Sequence, residues 1–304
     1  MLVVSFHSYK GGSCRTSTCI NTLPYLVKKL GADAEHPILV VDLDIDSQGL
    51  TYLVGAENQF NEYDSKVMLL NRIPDRNRTI SIDQHEFFKK CVPIGERLGV
   101  ENKAVYCLGL NDTQPMDAQD FTGRIDSALM ALYSMCLRMG VKAIVYDTAS
   151  GDQLAASAAC KASKVMVCCM RPTKQFCIGT ARFLGRLRKS INDQIVGKQI
   201  TRVIVLPTAV PQKEIMIEGV NQRNDANNRI RAIVRDTPYE VSNAFIVPEN
   251  FGIPEVERFK WHEDILFNLN RRGELTMEDD SALAMKRYEH LAEVIIEEGM
   301  KIDD

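Results

Sequence analysis

Short apolar runs alternate with longer stretches of helical periodicity along this chain. Near-continuous apolar runs at 2–7, 38–42, 104–108, 143–147, 164–170, 202–206 and 244–247 predict strands. A strand covered on both faces of a parallel sheet has no polar face to alternate with. Between the runs, apolar positions recur at helical spacing over 16–30, 124–139, 175–191, 213–235 and 281–298. Gly31 and Gly140 follow two of these stretches, where a left-handed cap is often needed. The alternation predicts an α/β fold, a doubly wound and mainly parallel sheet of about seven strands with helices on both faces. Its ligand is expected at the carboxyl ends of the strands. Pro24 falls inside the first helix and is expected to kink it or shorten its hydrogen-bond ladder. The stretch 55–102 is polar and poorly periodic, and reads as an irregular or helical insertion in a single domain spanning 1–304.

Composition narrows this picture without redirecting it. The chain has 304 residues, 45% hydrophobic and 25% charged, which suits one large α/β domain. A net charge of −3 gives no whole-protein attraction to nucleic acid or anionic membrane. The nine cysteines form no C-x-x-C pair, and several lie in apolar runs such as 165–170. That pattern reads as reduced, core-filling cysteine in a cytoplasmic protein. The apolar run at the start is too short for a signal peptide or a membrane span.

Candidate chemistry is concentrated just after the first strand. Tyr9-Lys10-Gly11-Gly12-Ser13-Cys14-Arg15-Thr16 joins that strand to a helix opening Thr16-Ser17-Thr18. A strand, a glycine-containing loop and a helix start form a phosphate-binding arrangement. Backbone N–H groups and the positive end of the helix dipole point at the anion. Gly11 and Gly12 let the backbone approach the phosphates, and Thr16 can ligate Mg²⁺ through its hydroxyl. Measured against G-x-x-x-x-G-K-S/T, Tyr9 stands for the first Gly, Cys14 for the second and Arg15 for the Lys. If the Cys14 position needs a positive φ, Cys costs about 1–2 kcal/mol relative to Gly. As a thiol at a helix start it also reads as a redox sensor, though a small residue tolerated in place of Gly is the preferred reading.

Lys10-Gly11-Gly12 resembles the deviant Walker A motif of the ParA/MinD superfamily, whose signature is the early Lys. The loop is most similar to a variant group with Arg in the P-loop Lys position. Val40-Val41-Asp42-Leu43-Asp44-Ile45-Asp46-Ser47-Gln48-Gly49-Leu50 resembles that group's second motif. Tyr146-Asp147-Thr148-Ala149-Ser150-Gly151 stands in the Walker B and switch II place, and 171–180 resembles the segment after the next strand.

The resemblance implies an ATP- and Mg²⁺-binding, slowly hydrolysing ATPase that acts as a nucleotide-dependent homodimeric switch for a partner protein. Residues Lys10, Gly11, Gly12, Ser13, Cys14, Arg15, Thr16 and Ser17 would hold the phosphates. Pro207, Thr208 and Pro248 would border the base, although the usual Asn at the end of the sixth strand is missing. Arg15 would bind β/γ-phosphate oxygens through its planar fork. Lys10 would reach across a dimer to the partner's nucleotide, and Asp44 would orient the attacking water. Thr16, Asp42 and Asp147 would serve the metal, while Asp46 has a weaker case. The alternative is a pseudo-ATPase scaffold in which Tyr9, Cys14 and Arg15 have ended turnover. A ParA-like DNA role could use Arg182, Arg186 and Lys189, with Arg188 nearby, but a solvated helix face is the favoured reading. The terminal helix carries Leu283, Tyr288, Leu291, Val294 and Ile295 on one stripe and acidic residues opposite. Packing onto the domain is therefore expected, rather than membrane attachment.

Overall fold

The structure, a computed structural model, describes residues 1–44, 47–56, 87–89, 91–109, 118–192, 202–213, 215–235, 237, 239–262, 264–275 and 280–301. The side chains of 118–124, 127 and 188–192 lie outside it, as do Asp46 and most of the expected insertion. Strand β1 (Leu2–His7) leads into helix α1 (Arg15–Leu30), and β2 (Ile38–Leu43) into the short α2 (Gly49–Leu53). Strand β3 (Val92–Pro93) and α3 (Gly95–Leu98) precede β4 (Val105–Leu108). Then come α4 (Ala118–Arg138), β5 (Ala143–Thr148), α5 (Leu154–Ala162), β6 (Val165–Met170) and α6 (Lys174–Asn192). Beyond β7 (Arg202–Pro207), strands β8 (Met216–Ile217) and β9 (Val220–Asn221) form a hairpin before α7 (Gln222–Arg235). Strand β10 (Glu240–Ser242), α8 (Leu266–Arg272) and α9 (Ser281–Met300) follow.

Eight strands form one sheet in the order β10-β7-β6-β1-β5-β2-β4-β3. Its neighbours are parallel except for the antiparallel β3–β4 pair at one edge. Alternation along β1 sets the two layers. Leu2, Val4 and Phe6 join the core made with α1 and α9, while Val3 faces α4 and α5. Strand β6 divides likewise, with Met166, Cys168 and Met170 packing toward α6 and α7. The terminal helix packs against α1, burying Tyr288, Leu291, Val294 and Ile295. Eight of the nine cysteines are buried, in keeping with core filling. Strand β1 lies between β5 and β6, so the chain switches sides at its carboxyl end, where a doubly wound sheet opens a crevice.

Helix α1 is continuous through Pro24, and Gly31 (φ 60°) and Gly140 (φ 71°) take the left-handed conformation. Two expected elements differ. The run 244–247 is not a strand: Phe245 and Ile246 are buried in a turn, and Gly252 N–H donates to the Phe245 carbonyl at 3.1 Å. Its apolar character reports burial, not extension, and the edge strand is β10 instead. The helix expected over 213–235 begins only at Gln222, because Glu218 (φ 53°) and Gly219 (φ 77°) turn the chain into the β8–β9 hairpin.

Candidate functional site

The loop between β1 and α1 turns at the switch point. Gly12 has φ 77°, and Cys14 caps α1 in the left-handed region at φ 53°, ψ 29°. Cys14 therefore occupies a position that favours glycine. Tyr9, in the place of the first Gly, is accommodated from outside the loop. Its ring lies against Gly179 of α6, where an added Cβ would overlap it.

Arg15 does not lie on the surface. Its Nε donates to Asp147 Oδ1 at 2.7 Å and its Nη2 to Asp44 Oδ2 at 2.7 Å. The same Nη2 lies 3.3 Å from Thr16 Oγ1, and the Thr16 hydroxyl donates to Asp147 Oδ2 at 2.8 Å. Parallel β2–β5 pairing brings Asp42 level with Asp147. Asp42 accepts from Thr51 N–H (2.9 Å) and Thr51 Oγ1 (2.7 Å) with one oxygen, and from Asp44 N–H (3.1 Å) with the other. It thereby fixes the turn that carries Asp44. Burial works against the Arg15 charge, but Asp147 and Asp44 outweigh it and hold its pKa above the ordinary value. Burial and the Asp147 charge push Asp42 up to about 6, against the hydrogen bonds from Thr51 and Asp44. Burial raises Asp147 as well, opposed by Arg15 and the Thr16 hydroxyl.

His7, at the end of β1, was not singled out by the sequence. It is buried, 3.0 Å through Nδ1 from Thr148 Oγ1, and stacked on Phe183 at 4.0 Å. The Thr148 hydroxyl lies 3.0 Å from the Phe6 carbonyl, to which it can donate. Burial, then the Arg15 charge, pushes His7 down to about 3, so the ring is neutral.

The other flank is held by longer side chains. Lys10 Nζ donates to Gln175 Oε1 at 2.8 Å and lies 5.9 Å from the Phe176 ring centre. Arg171 Nε donates to the Gly12 carbonyl at 2.8 Å, and the buried Thr208 hydroxyl to the Ser13 carbonyl at 2.7 Å. Thr208 thus buttresses the loop. Pro207 closes β7 with its carbonyl accepting from Ile253 N–H at 2.8 Å, and the Pro248 carbonyl accepts from Arg223 Nη2 at 3.4 Å. Ser17 is half-buried on the first turn of α1. The structure therefore gathers Lys10 to Ser17, Asp42, Asp44, Asp147 and Thr208 around one loop, while Pro248 stands in the 248–250 turn. Gln175, Gly179 and Thr51 escaped sequence reading because their roles depend on contacts more than 100 residues away or on a turn that only the fold closes.

A predominantly parallel sheet with a phosphate-type loop at its switch point, and with carboxylates ending the strands beside it, is the P-loop nucleoside-triphosphatase fold of the MinD/ParA type. Solved structures of that type superpose along the whole chain. The MinC:MinD cell division complex of Aquifex aeolicus matches with TM-score 0.57 and 18% identity, covering 100% of this chain and 99% of that one. A Cyanothece McdA–ATP complex matches with TM-score 0.59 and 16% identity, covering 100% and 98%. Pyrococcus horikoshii MinD with Mg-ADP matches with TM-score 0.53 and 16% identity, covering 99% of each. No family model and no curated protein sequence matches the chain.

Proposed function

We propose that this chain is an ATP-binding molecular switch of the ParA/MinD superfamily, from the group with Arg in the P-loop Lys position. On this reading it hydrolyses ATP slowly, dimerises with nucleotide bound and signals to a partner protein. The observation that carries it is the cluster of Arg15 and Thr16 at the start of α1 with Asp44 and Asp147 at the ends of β2 and β5. It puts the cation, hydroxyl and carboxylates that phosphoryl transfer needs within hydrogen-bond reach of one another. The ATP and Mg-ADP bound to the Cyanothece and Pyrococcus neighbours support the choice of ligand, and the MinC:MinD complex supports a partner protein.

The donor set fits Mg²⁺. Thr16 Oγ1 and Asp147 Oδ2 stand 2.8 Å apart. Adjacent ligands of an octahedral ion with bonds of about 2.0–2.1 Å are separated by about 3 Å. Asp42 would contribute through the turn it holds, since both its oxygens are engaged. When bound, Mg²⁺ supplies charge neutralisation on the phosphate oxygens. Arg15 would exchange its carboxylates for phosphate oxygens and release Asp44 to orient the attacking water, while Lys10 would be free to reach a second copy once it leaves Gln175. A pseudo-ATPase is the second reading, favoured by the strained Cys14 and by the double carboxylate hold on Arg15.

Phosphate release and binding of a fluorescent ATP analogue, compared between the native protein and Arg15→Ala and Asp44→Asn variants, test the proposal. Binding by the native protein with release above both variants is the expected result. Background release from all three, with binding retained, leaves the scaffold reading. Absence of binding overturns both. Of the cations on α6 that a DNA role could use, Arg186 is ion-paired with Asp152, while the side chains of Arg188 and Lys189 lie outside the described residues. No helix among the described residues is long and apolar enough to cross a membrane.

A further inference from the structure

A cleft of about 350 Å³ opens beside the phosphate loop, between the turns that follow β6 and β7 and the first turns of α7. Val210 and Phe251 supply an apolar lining, and Arg171, Lys213, Arg223 and Arg229 bring positive charge to it. Asp225 neutralises Arg229. Two of the others donate to backbone carbonyls. Arg171 donates to the Gly12 carbonyl, Arg223 donates to the Pro248 carbonyl and lies 6.0 Å from the Phe251 ring centre, and Lys213 has no acidic partner among the described residues. Glu255, the carboxylate among the described lining residues, lies 3.7 Å from Lys260. Among the described residues, Arg171, Lys213 and Arg223 thus form no ion pair in this concavity, although the net charge of the chain is −3.

The β8–β9 hairpin stands next to this cleft. Ile215, which lines the cleft, is 44% exposed, and Met216, Ile217 and Val220 are 59%, 53% and 49% exposed. Positive φ at both Glu218 and Gly219 matches the tight turn that suits a hairpin, so this is a formed element displaying aliphatic side chains. Ile217 and Val220 are cross-strand partners on one face of the hairpin, and an exposed apolar face beside a cationic cleft marks an interaction site.

We propose that the cleft and hairpin dock an acidic amphipathic segment of a partner protein. Its carboxylates would meet Arg171, Lys213 and Arg223, and its apolar side chains would cover the hairpin. A second copy meeting this surface through its own equivalent would set cations against cations. A nucleic-acid backbone would offer the exposed aliphatic residues nothing to bury against. Because Arg171 also holds the Gly12 carbonyl, the docked segment touches the phosphate loop through one side chain. The inference rests on the cleft and hairpin, and stands without ATP hydrolysis.

The test is fluorescence anisotropy of a short labelled peptide alternating Asp with Leu, titrated with the full chain. Saturable binding is expected, weakened roughly tenfold by Lys213→Glu with Arg223→Glu, and several-fold by Met216→Ser with Ile217→Ser. A Lys–Leu peptide and a labelled DNA duplex are expected not to bind. Binding of a fluorescent ATP analogue is expected to be unchanged in the hairpin variant, which keeps failure here distinct from failure of the nucleotide reading. The proposal is overturned by absent peptide binding, by equal affinity in the native protein and variants, by capture of the duplex through the same cations, or by a dimer that the hairpin variant disperses.

Discussion

On the side of the phosphate loop that faces β2 and β5, Arg15, Thr16, Asp44 and Asp147 form a web of mutual contacts in which Asp147 is wholly buried. On the side that faces β6 and α6, Lys10 and Arg171 are exposed and hold to Gln175 and Gly12 by single hydrogen bonds. The buried flank has few alternative arrangements, because a charge left unpaired in a low-dielectric interior is costly. The exposed flank can exchange its partners for water at little cost. One loop thus combines a preorganised charged centre with an adaptable edge.

The largest test of this contrast is Arg15→Ala. It leaves Asp44 and Asp147 facing each other without their cation, and a loss of about 3–5 kcal/mol in urea unfolding at neutral pH is expected. A loss under 1 kcal/mol would mean the flank is wetter than its burial indicates.

His7 comes next. Its pKa is depressed to about 3, so the unfolded chain binds a proton that the fold refuses. Stability is then fully present above about pH 6.5 and falls as pH drops toward 3, by roughly 2 kcal/mol at pH 5. Asp42 acts in the opposite sense. Raised to about 6, it binds its proton more readily in the fold, so its contribution declines as pH rises from about 4 to about 6. Urea midpoints against pH should therefore lose their acid-side fall in His7→Gln and steepen in that same direction in Asp42→Asn. Unchanged pH profiles in both variants would remove these groups from the linkage.

Gly179→Ala probes the edge where Tyr9 rests. Its Cβ would overlap the Tyr9 ring, with an expected cost of about 1–3 kcal/mol, recovered when Tyr9→Ala is added. Cys14→Gly is expected to stabilise by about 1–2 kcal/mol, since glycine relieves the left-handed backbone. Gly12→Ala should lose a similar amount even though an added Cβ meets nothing within 4 Å. The smallest effect is Lys10→Ala, under about 0.5 kcal/mol in thermal unfolding, as expected of an exposed single bond.

The sequence by itself determined the parallel sheet, six of its strands to within a residue or two, the glycine-containing loop between β1 and α1 and the carboxylates at the ends of β2 and β5. Those features are written in local periodicity and in polar residues that interrupt apolar runs. Other elements lacked such a signal. Helix α5 is short and rich in alanine, so it has no amphipathic stripe to read, and the buried turn at 244–247 looks like a strand because burial alone makes it apolar. Tertiary structure decided which charges pair. Sequence spacing could place Arg15 opposite a phosphate, but only parallel pairing of β2 with β5 brings Asp44 and Asp147 together around its guanidinium. It also decided that Arg171, Lys213 and Arg223 share one cleft. Residues so far apart along the chain converge only when the sheet sets the turns after β6 and β7 side by side.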